Sequence, residues 1–74
     1  MVSKELDKRL LQVRIMFLFQ TQYNISDSMF EELDEQYHIL KFLDDEYGVL
    51  HMTGDKGILE EIVSMLHTKG CTLV

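Results

Sequence analysis

The sequence predicts an all-α protein, a compact bundle of about four short helices that makes one domain over residues 1–74, with loose tails at 1–2 and 71–74. Apolar residues recur at spacings of three and four in four segments, which is the period of one helix face. The 74 residues contain no proline and many Leu, Glu, Asp, Lys and Met residues, a composition that favours helices. No segment shows the alternation of apolar and polar residues that is typical of a half-buried strand.

The first predicted helix starts behind Ser3, a good N-terminal capping residue, and runs to about Gln22. It carries two apolar stripes, one of Leu6, Leu10, Val13 and Phe17 and one of Leu11, Ile15 and Leu18. With Met16 and Phe19, its second half is apolar on nearly every side, as in a central helix or one with a second face for a partner. We expect a central helix, with a homodimer through Ile15 to Phe19 as the alternative.

The second predicted helix covers about Asp27 to Tyr37. Either Ser26 or Ser28 can cap it, and Ser28 has capping-box spacing to an acid three residues later. Its buried side should consist of Met29, Phe30, Leu33 and Tyr37. The boundary near 36–38 contains neither Gly nor Pro, so this helix and the next are either continuous or sharply bent there.

The third predicted helix covers Ile39 to Gly54. Its apolar stripe consists of Ile39, Leu40, Leu43, Tyr47 and Leu50. Gly48 interrupts a helix that should otherwise be regular, and it marks a kink or the close approach of another backbone. Gly54 should end the helix in a left-handed cap.

The last predicted helix runs from about Lys56 to Lys69. Asp55 should cap its start and Gly70 its end. The buried stripe should consist of Ile58, Leu59, Ile62, Val63 and Leu66. The remaining tail is frayed or is packed through Leu73.

The net charge of −6 is distributed unevenly along the chain. Residues 1–26 carry a net +2, residues 27–46 a net −7 and residues 47–74 a net −1. Six acids of the middle segment are the candidate partner-binding residues: Glu31, Glu32, Glu35, Asp44, Asp45 and Glu46. Because carboxylates repel phosphate backbones, this charge disfavours direct nucleic-acid binding and favours a protein partner with a basic surface.

Few residues of the chain could carry chemistry. The three histidines, His38, His51 and His67, lack the spacing of a helical metal site. The chain has a single cysteine, so no pair of thiolates is present to complete a zinc site. Neither a metal nor a cofactor is therefore predicted. Tyr47 and His51 stand one helical turn apart and should touch. We expect a structural pair and no enzyme, with acid–base chemistry at this pair as the competing hypothesis.

The longest apolar run, Ile15 to Phe19, has five residues, too few to cross a membrane. The charged start of the chain lacks the apolar core of a signal peptide, and one cysteine excludes an internal disulfide. We therefore expect a soluble cytoplasmic protein without a membrane partner.

Part of the sequence resembles a family of short bacterial helical domains of unknown function with a Y-x-x-L-H signature. The residues that carry the resemblance are Phe42, Leu43, Tyr47, Leu50, His51, Gly54, Ile58, Ile62 and Gly70. It covers about Val13 to Gly70, and the chain departs from it in its acidic middle. Such domains are often encoded beside toxin genes that look like ADP-ribosyltransferases, so the resemblance implies a partner of that kind. It implies no catalytic residue, and Tyr47, Leu50 and His51 are signature residues of undefined role.

Our first hypothesis for the function is a small acidic interaction module that binds and restrains a partner protein, as an antitoxin does. The alternative is a phage-type inhibitor whose carboxylates mimic nucleic-acid phosphates and block a nuclease or a CRISPR-type effector. Two further hypotheses are the enzyme hypothesis given above and a homo-oligomer whose association is itself the function.

Overall fold

The computed structural model describes residues 4–74, with side chains from residue 5 onward. These residues form five helices: α1 Lys4–Tyr23, α2 Asp27–Tyr37, α3 Ile39–Asp45, α4 Tyr47–Leu50 and α5 Asp55–Thr68. No strand occurs among them, so the prediction of an all-α bundle is confirmed. Helix α1 packs against α3 and α5, and α3 also packs against α2 and α4. The predicted cap Ser3 and the predicted loose residues 1–2 lie outside the described part of the chain.

One cluster of buried side chains holds the five helices together. Its largest fully buried members are Phe19, Ile15, Ile39, Leu43, Ile58, Ile62 and Leu66. The ring of Phe19 lies 5.2 Å from that of Tyr23 and 6.1 Å from that of Phe30, measured between centroids. Each fully buried side chain of this size contributes about 1.5–3 kcal/mol, so the cluster is the main source of stability.

Helix α1 buries one of its two predicted stripes and exposes the other. The buried side consists of Leu11, Ile15 and Phe19. The outer stripe of α1 consists of Leu6, Leu10, Val13 and Phe17, which are 48–66% exposed. Each residue advances a helix by about 100°, which places the two stripes on nearly opposite sides, and α3 and α5 cover only one side. The alternative of a homodimer through Ile15 to Phe19 therefore needs correction, because Ile15 and Phe19 lie in the core and only Phe17 of that run is well exposed.

A single left-handed residue separates α2 from α3. His38 adopts φ 57° and ψ 52°, and its N–H donates to the carbonyl of Asp34 at 2.7 Å, which is a common helix ending. The Asp34 carboxylate accepts from the N–H of Leu40 at 2.8 Å and so caps the first turn of α3. Ser26 caps α2 by accepting from the N–H of Met29. The chain is thus sharply bent at this boundary.

The predicted third helix is divided at Glu46, which ends α3 and precedes the single turn of α4. Leu43, before this division, and Leu50, after it, both lie in the core, at 1% and 3% exposure. The division falls at Glu46 and not at Gly48. A Cβ added at Gly48 would meet no atom within 4 Å, so no other backbone approaches it closely. The expectation of a left-handed cap at Gly54 is also wrong. Gly54 has extended backbone (φ −66°, ψ 158°) and is the N-cap residue of α5.

The end of α5 is closed by a Schellman motif around Gly70, as predicted for that residue. Gly70 has φ 89°, its N–H donates to the carbonyl of His67, and the N–H of Cys71 donates to the carbonyl of Leu66. These are the two hydrogen bonds that define the motif. The tail that we expected to be loose is attached, because Cys71 is buried and the main-chain oxygen of Val74 accepts from His67 Nε2 at 2.6 Å.

Candidate functional site

The six candidate partner-binding acids are all exposed, and they differ in how far they are neutralised. Glu31, Glu32 and Glu35 lie on α2, Asp44 and Asp45 on α3, and Glu46 between α3 and α4. Asp44 pairs with Lys8 of α1 at 3.4 Å, and Asp45 pairs with Lys41 at 2.7 Å. The hydrogen bond to Asp45, followed by the charge of that carboxylate, raises the pKa of Lys41 above its ordinary value. The three α2 glutamates form no ion pair within residues 4–74.

An acidic groove of about 310 Å³ lies between α1, α2 and α3. Its lining comprises three apolar residues and four polar ones: Met16, Phe30, Leu40, Gln20, Asp27, Glu31 and Asp34. Asp27 Oδ1 accepts from the Gln20 amide at 2.9 Å, and Asp34 is fixed by the N–H of Leu40. An apolar wall with carboxylates beside it suits the aliphatic stem and cationic head of a Lys or Arg side chain. Asp27 lies outside the predicted acidic face, and Asp34 lies within it but is not one of the six candidate partner-binding acids.

The structure brings Tyr47 and His51 together, as their spacing predicts. Their rings are stacked, with 4.9 Å between centroids and an interplanar angle of 15°. His51 Nδ1 lies 2.7 Å from the carbonyl oxygen of Tyr47, and since a carbonyl only accepts, Nδ1 carries the proton and donates it. The ring and Nδ1 of His51 are thus both engaged in closing α4, which supports a structural role. Leu50, the third signature residue, lies in the core.

A second groove, of about 280 Å³, separates this pair from α1. Its lining consists of Asp7, Leu10, Leu11, Arg14, Tyr47 and His51. Lys8 Nζ lies 6.0 Å from the centroid of the Tyr47 ring, at the limit of a cation–π contact. Arg14 donates through Nε and Nη2 to Asp55 Oδ1 at 3.2 and 3.0 Å, which ties α1 to the start of α5. Asp55 is therefore the partner of Arg14. The expectation that Asp55 caps α5 is wrong, because the N-cap residue is Gly54.

No group of three or more His, Cys, Asp or Glu side chains among the described residues could hold a metal ion. None of the described helices combines the length and apolar character needed to cross a membrane. The fold and the grooves thus define a class of small helical domain whose distinctive features are acidic and apolar surfaces.

Residues 11–69 match the family described as "Protein of unknown function (DUF3791)". The match covers most of the chain, which therefore belongs to the DUF3791 family. The match confirms the expected membership of a family of unknown function, over residues 11–69 where the resemblance covers about 13–70. No curated protein and no solved structure matches the chain.

Proposed function

We propose that this protein binds and restrains a partner protein that carries a basic surface, in the manner of an antitoxin. The observation that carries the proposal is the acidic groove between α1, α2 and α3. Glu31 lies at this groove without a hydrogen bond or ion pair within the described residues. A basic side chain of the partner would pack its stem against Met16 and Leu40 and place its charge near Glu31.

The charge pattern of α2 supports a partner more than it supports folding. Glu31 and Glu35 stand one turn apart, and like charges at that spacing cost an isolated helix a few tenths of a kcal/mol. The region 27–46 nevertheless keeps a net −7. An opposed basic surface would offset this cost, accelerate encounter and fix orientation.

The resemblance noted in the sequence supplies the class of partner. That resemblance implies neighbouring toxin genes that look like ADP-ribosyltransferases. We therefore propose a toxin-type enzyme as the restrained protein and the cytoplasm as the place of the interaction. No catalytic residue is required of the present chain.

The alternative, a mimic of nucleic-acid phosphates, has less support. A mimic needs carboxylates that remain unneutralised along a continuous path, whereas Asp44 and Asp45 each lie in an ion pair.

The test begins with the isolation of the partner from the native cell, and then compares association rates over a range of ionic strength. The triple variant Glu32→Lys, Glu35→Lys and Asp45→Lys should keep the fold and slow association at least about tenfold at low salt, with a smaller effect at high salt. Glu31→Lys should slow association through the groove itself.

Matched controls carry the same charge change at acids that do not line the acidic groove. The control triple variant is Glu5→Lys, Glu60→Lys and Glu61→Lys, and the control for Glu31→Lys is Glu60→Lys; all of these residues are exposed. The proposal fails if the acidic-region triple associates as fast as the wild type at low salt. It also fails if both triples slow association equally, because net charge alone would then account for the effect.

A further inference from the structure

We infer that two copies of this chain pair through the outer stripe of α1, with the two α1 helices antiparallel. This surface lies on the opposite side of α1 from the core and does not include the three α2 glutamates. The inference therefore does not rest on the proposed function. The spacing of the stripe, the grooves beside it and the charges along it each bear on the identity of the occupant.

The spacing of the outer stripe is that of a seam between two helices. Leu6, Leu10, Val13 and Phe17 follow one another at intervals of four, three and four residues, which is the seven-residue repeat of paired helices. The core makes no use of this pattern, since Leu10, Val13 and Phe17 are each more than half exposed. A row of large apolar side chains in such a repeat fits a helix as its occupant.

A groove lies along each side of the stripe. On one side, Asp7, Leu10 and Arg14 line the groove that Tyr47 and His51 also line. On the other side, Arg9, Val13 and Met16 line a groove of about 410 Å³. A helix laid over the stripe would therefore find hollows for the side chains on both of its flanks, which is how paired helices interlock.

The charges beside the stripe identify a second copy as the occupant and fix its direction. When two α1 helices run antiparallel with Leu10 opposite Val13 of the second copy, Asp7 faces Arg14 of the second copy. The two-fold symmetry repeats this attractive contact. A parallel pair in the same repeat would instead place Arg9 opposite Arg14 of the second copy, twice, and like charges repel. The surface is thus complementary to itself in one orientation only.

Arg14 can take part without leaving its own chain. Its contact with Asp55 uses Nε and Nη2, and its side chain remains 52% exposed. A guanidinium has five N–H donors in a planar fork, so Nη1 and the second Nη2 proton can still reach Asp7 of the second copy. The seam is short, and we expect a dimer that dissociates on dilution.

Sedimentation equilibrium over a concentration series tests the pairing. Val13→Ser should raise the dissociation constant of the dimer at least about tenfold. The matched control is Val49→Ser, the same change at an equally exposed valine (66% against 60%) away from α1, and it should leave the constant unchanged. A wild-type chain that stays monomeric up to about 1 mM overturns the inference, and so does an equal effect of both substitutions.

A charge exchange tests the direction of the helices. Asp7→Arg alone and Arg14→Asp alone should each weaken the dimer about tenfold or more, because each creates two like-charge contacts. The combined variant should recover most of the loss, since it restores both contacts with their signs reversed. Thermal unfolding at low concentration checks that each variant folds. A combined variant that dimerises no better than the single ones overturns the antiparallel arrangement.

Discussion

The Asp34 carboxylate accepts a hydrogen bond from the main-chain N–H of Leu40 at 2.8 Å. An acid in the last turn of α2 thereby satisfies an amide in the first turn of α3, across the left-handed residue His38. The two helices are connected by one residue, and the Asp34 side chain closes that corner. Several measurable consequences depend on contacts of this kind.

Replacing Asp34 with Ala should lower the free energy of unfolding by about 1 kcal/mol, the usual cost of losing a helix cap. The loss arises because the N–H of Leu40 has no other partner in the first turn of α3. Urea denaturation measures it, with Glu35→Ala as the exposed neighbouring control, which should cost less than about 0.5 kcal/mol. Equal losses in the two variants would show that the cap contributes nothing.

Replacing His38 with Gly should raise the free energy of unfolding by up to about 1 kcal/mol, because Gly adopts the left-handed conformation without steric cost. The midpoint of urea denaturation should rise with it. His38→Val should lower it, since a β-branched side chain is the least tolerant of positive φ. Asn24 has a similar φ of 53°, and Asn24→Gly should gain less because Asn tolerates this conformation better. A lower midpoint for His38→Gly would contradict the argument.

Replacing Leu43 with Ala should cost about 2–5 kcal/mol, the range for a buried Leu, because Leu43 is almost fully enclosed by the core. In a domain of 74 residues this loss is a large part of the total stability. Val49→Ala, at an exposed apolar residue on α4, is the control and should change the midpoint little. Similar midpoints for both variants would place Leu43 outside the core.

Replacing His51 with Gln should leave the fold and partner binding intact, at a cost of no more than about 1 kcal/mol in stability. The Gln amide can still donate to the carbonyl of Tyr47, and only the ring stack is lost. Circular dichroism, partner binding and turnover measured on one preparation provide the check. A variant that folds normally but loses a measurable turnover would establish the enzyme hypothesis in place of ours.

The sequence predicts the class of the elements, and its four predicted helices cover the five observed ones, because apolar spacing reports directly on helix faces. The predicted bounds of α2, about Asp27 to Tyr37, agree with the structure, and of the two possible caps it is Ser26 that caps the helix. The sequence does not predict the bend at Glu46, because a continuous stripe through Leu43 and Leu50 fits a straight helix equally well.

The features of the candidate site that can be predicted from the sequence are likewise the local ones. The concentration of acids is visible in the sequence, and so is the contact between Tyr47 and His51, because both are local. The pairing of Asp44 with Lys8, 36 positions apart, is tertiary. Which of the two stripes of α1 is buried depends likewise on where α3 and α5 pack, and helical periodicity alone carries no such information.

The turn that closes α5 gives the protein an internal chemical reporter. Cys71 is the one cysteine in the sequence, and its side chain is covered beside Leu66 at 5% exposure. A water-borne thiol reagent should therefore reach its sulfur only when this end of the molecule opens. Labelling kinetics in the absence of denaturant therefore read out how often this end of the molecule opens, and when reclosing is faster than labelling they give the free energy of that opening. Strain, partner binding or dimerisation transmitted to α5 would appear as a changed labelling rate in the unmodified chain.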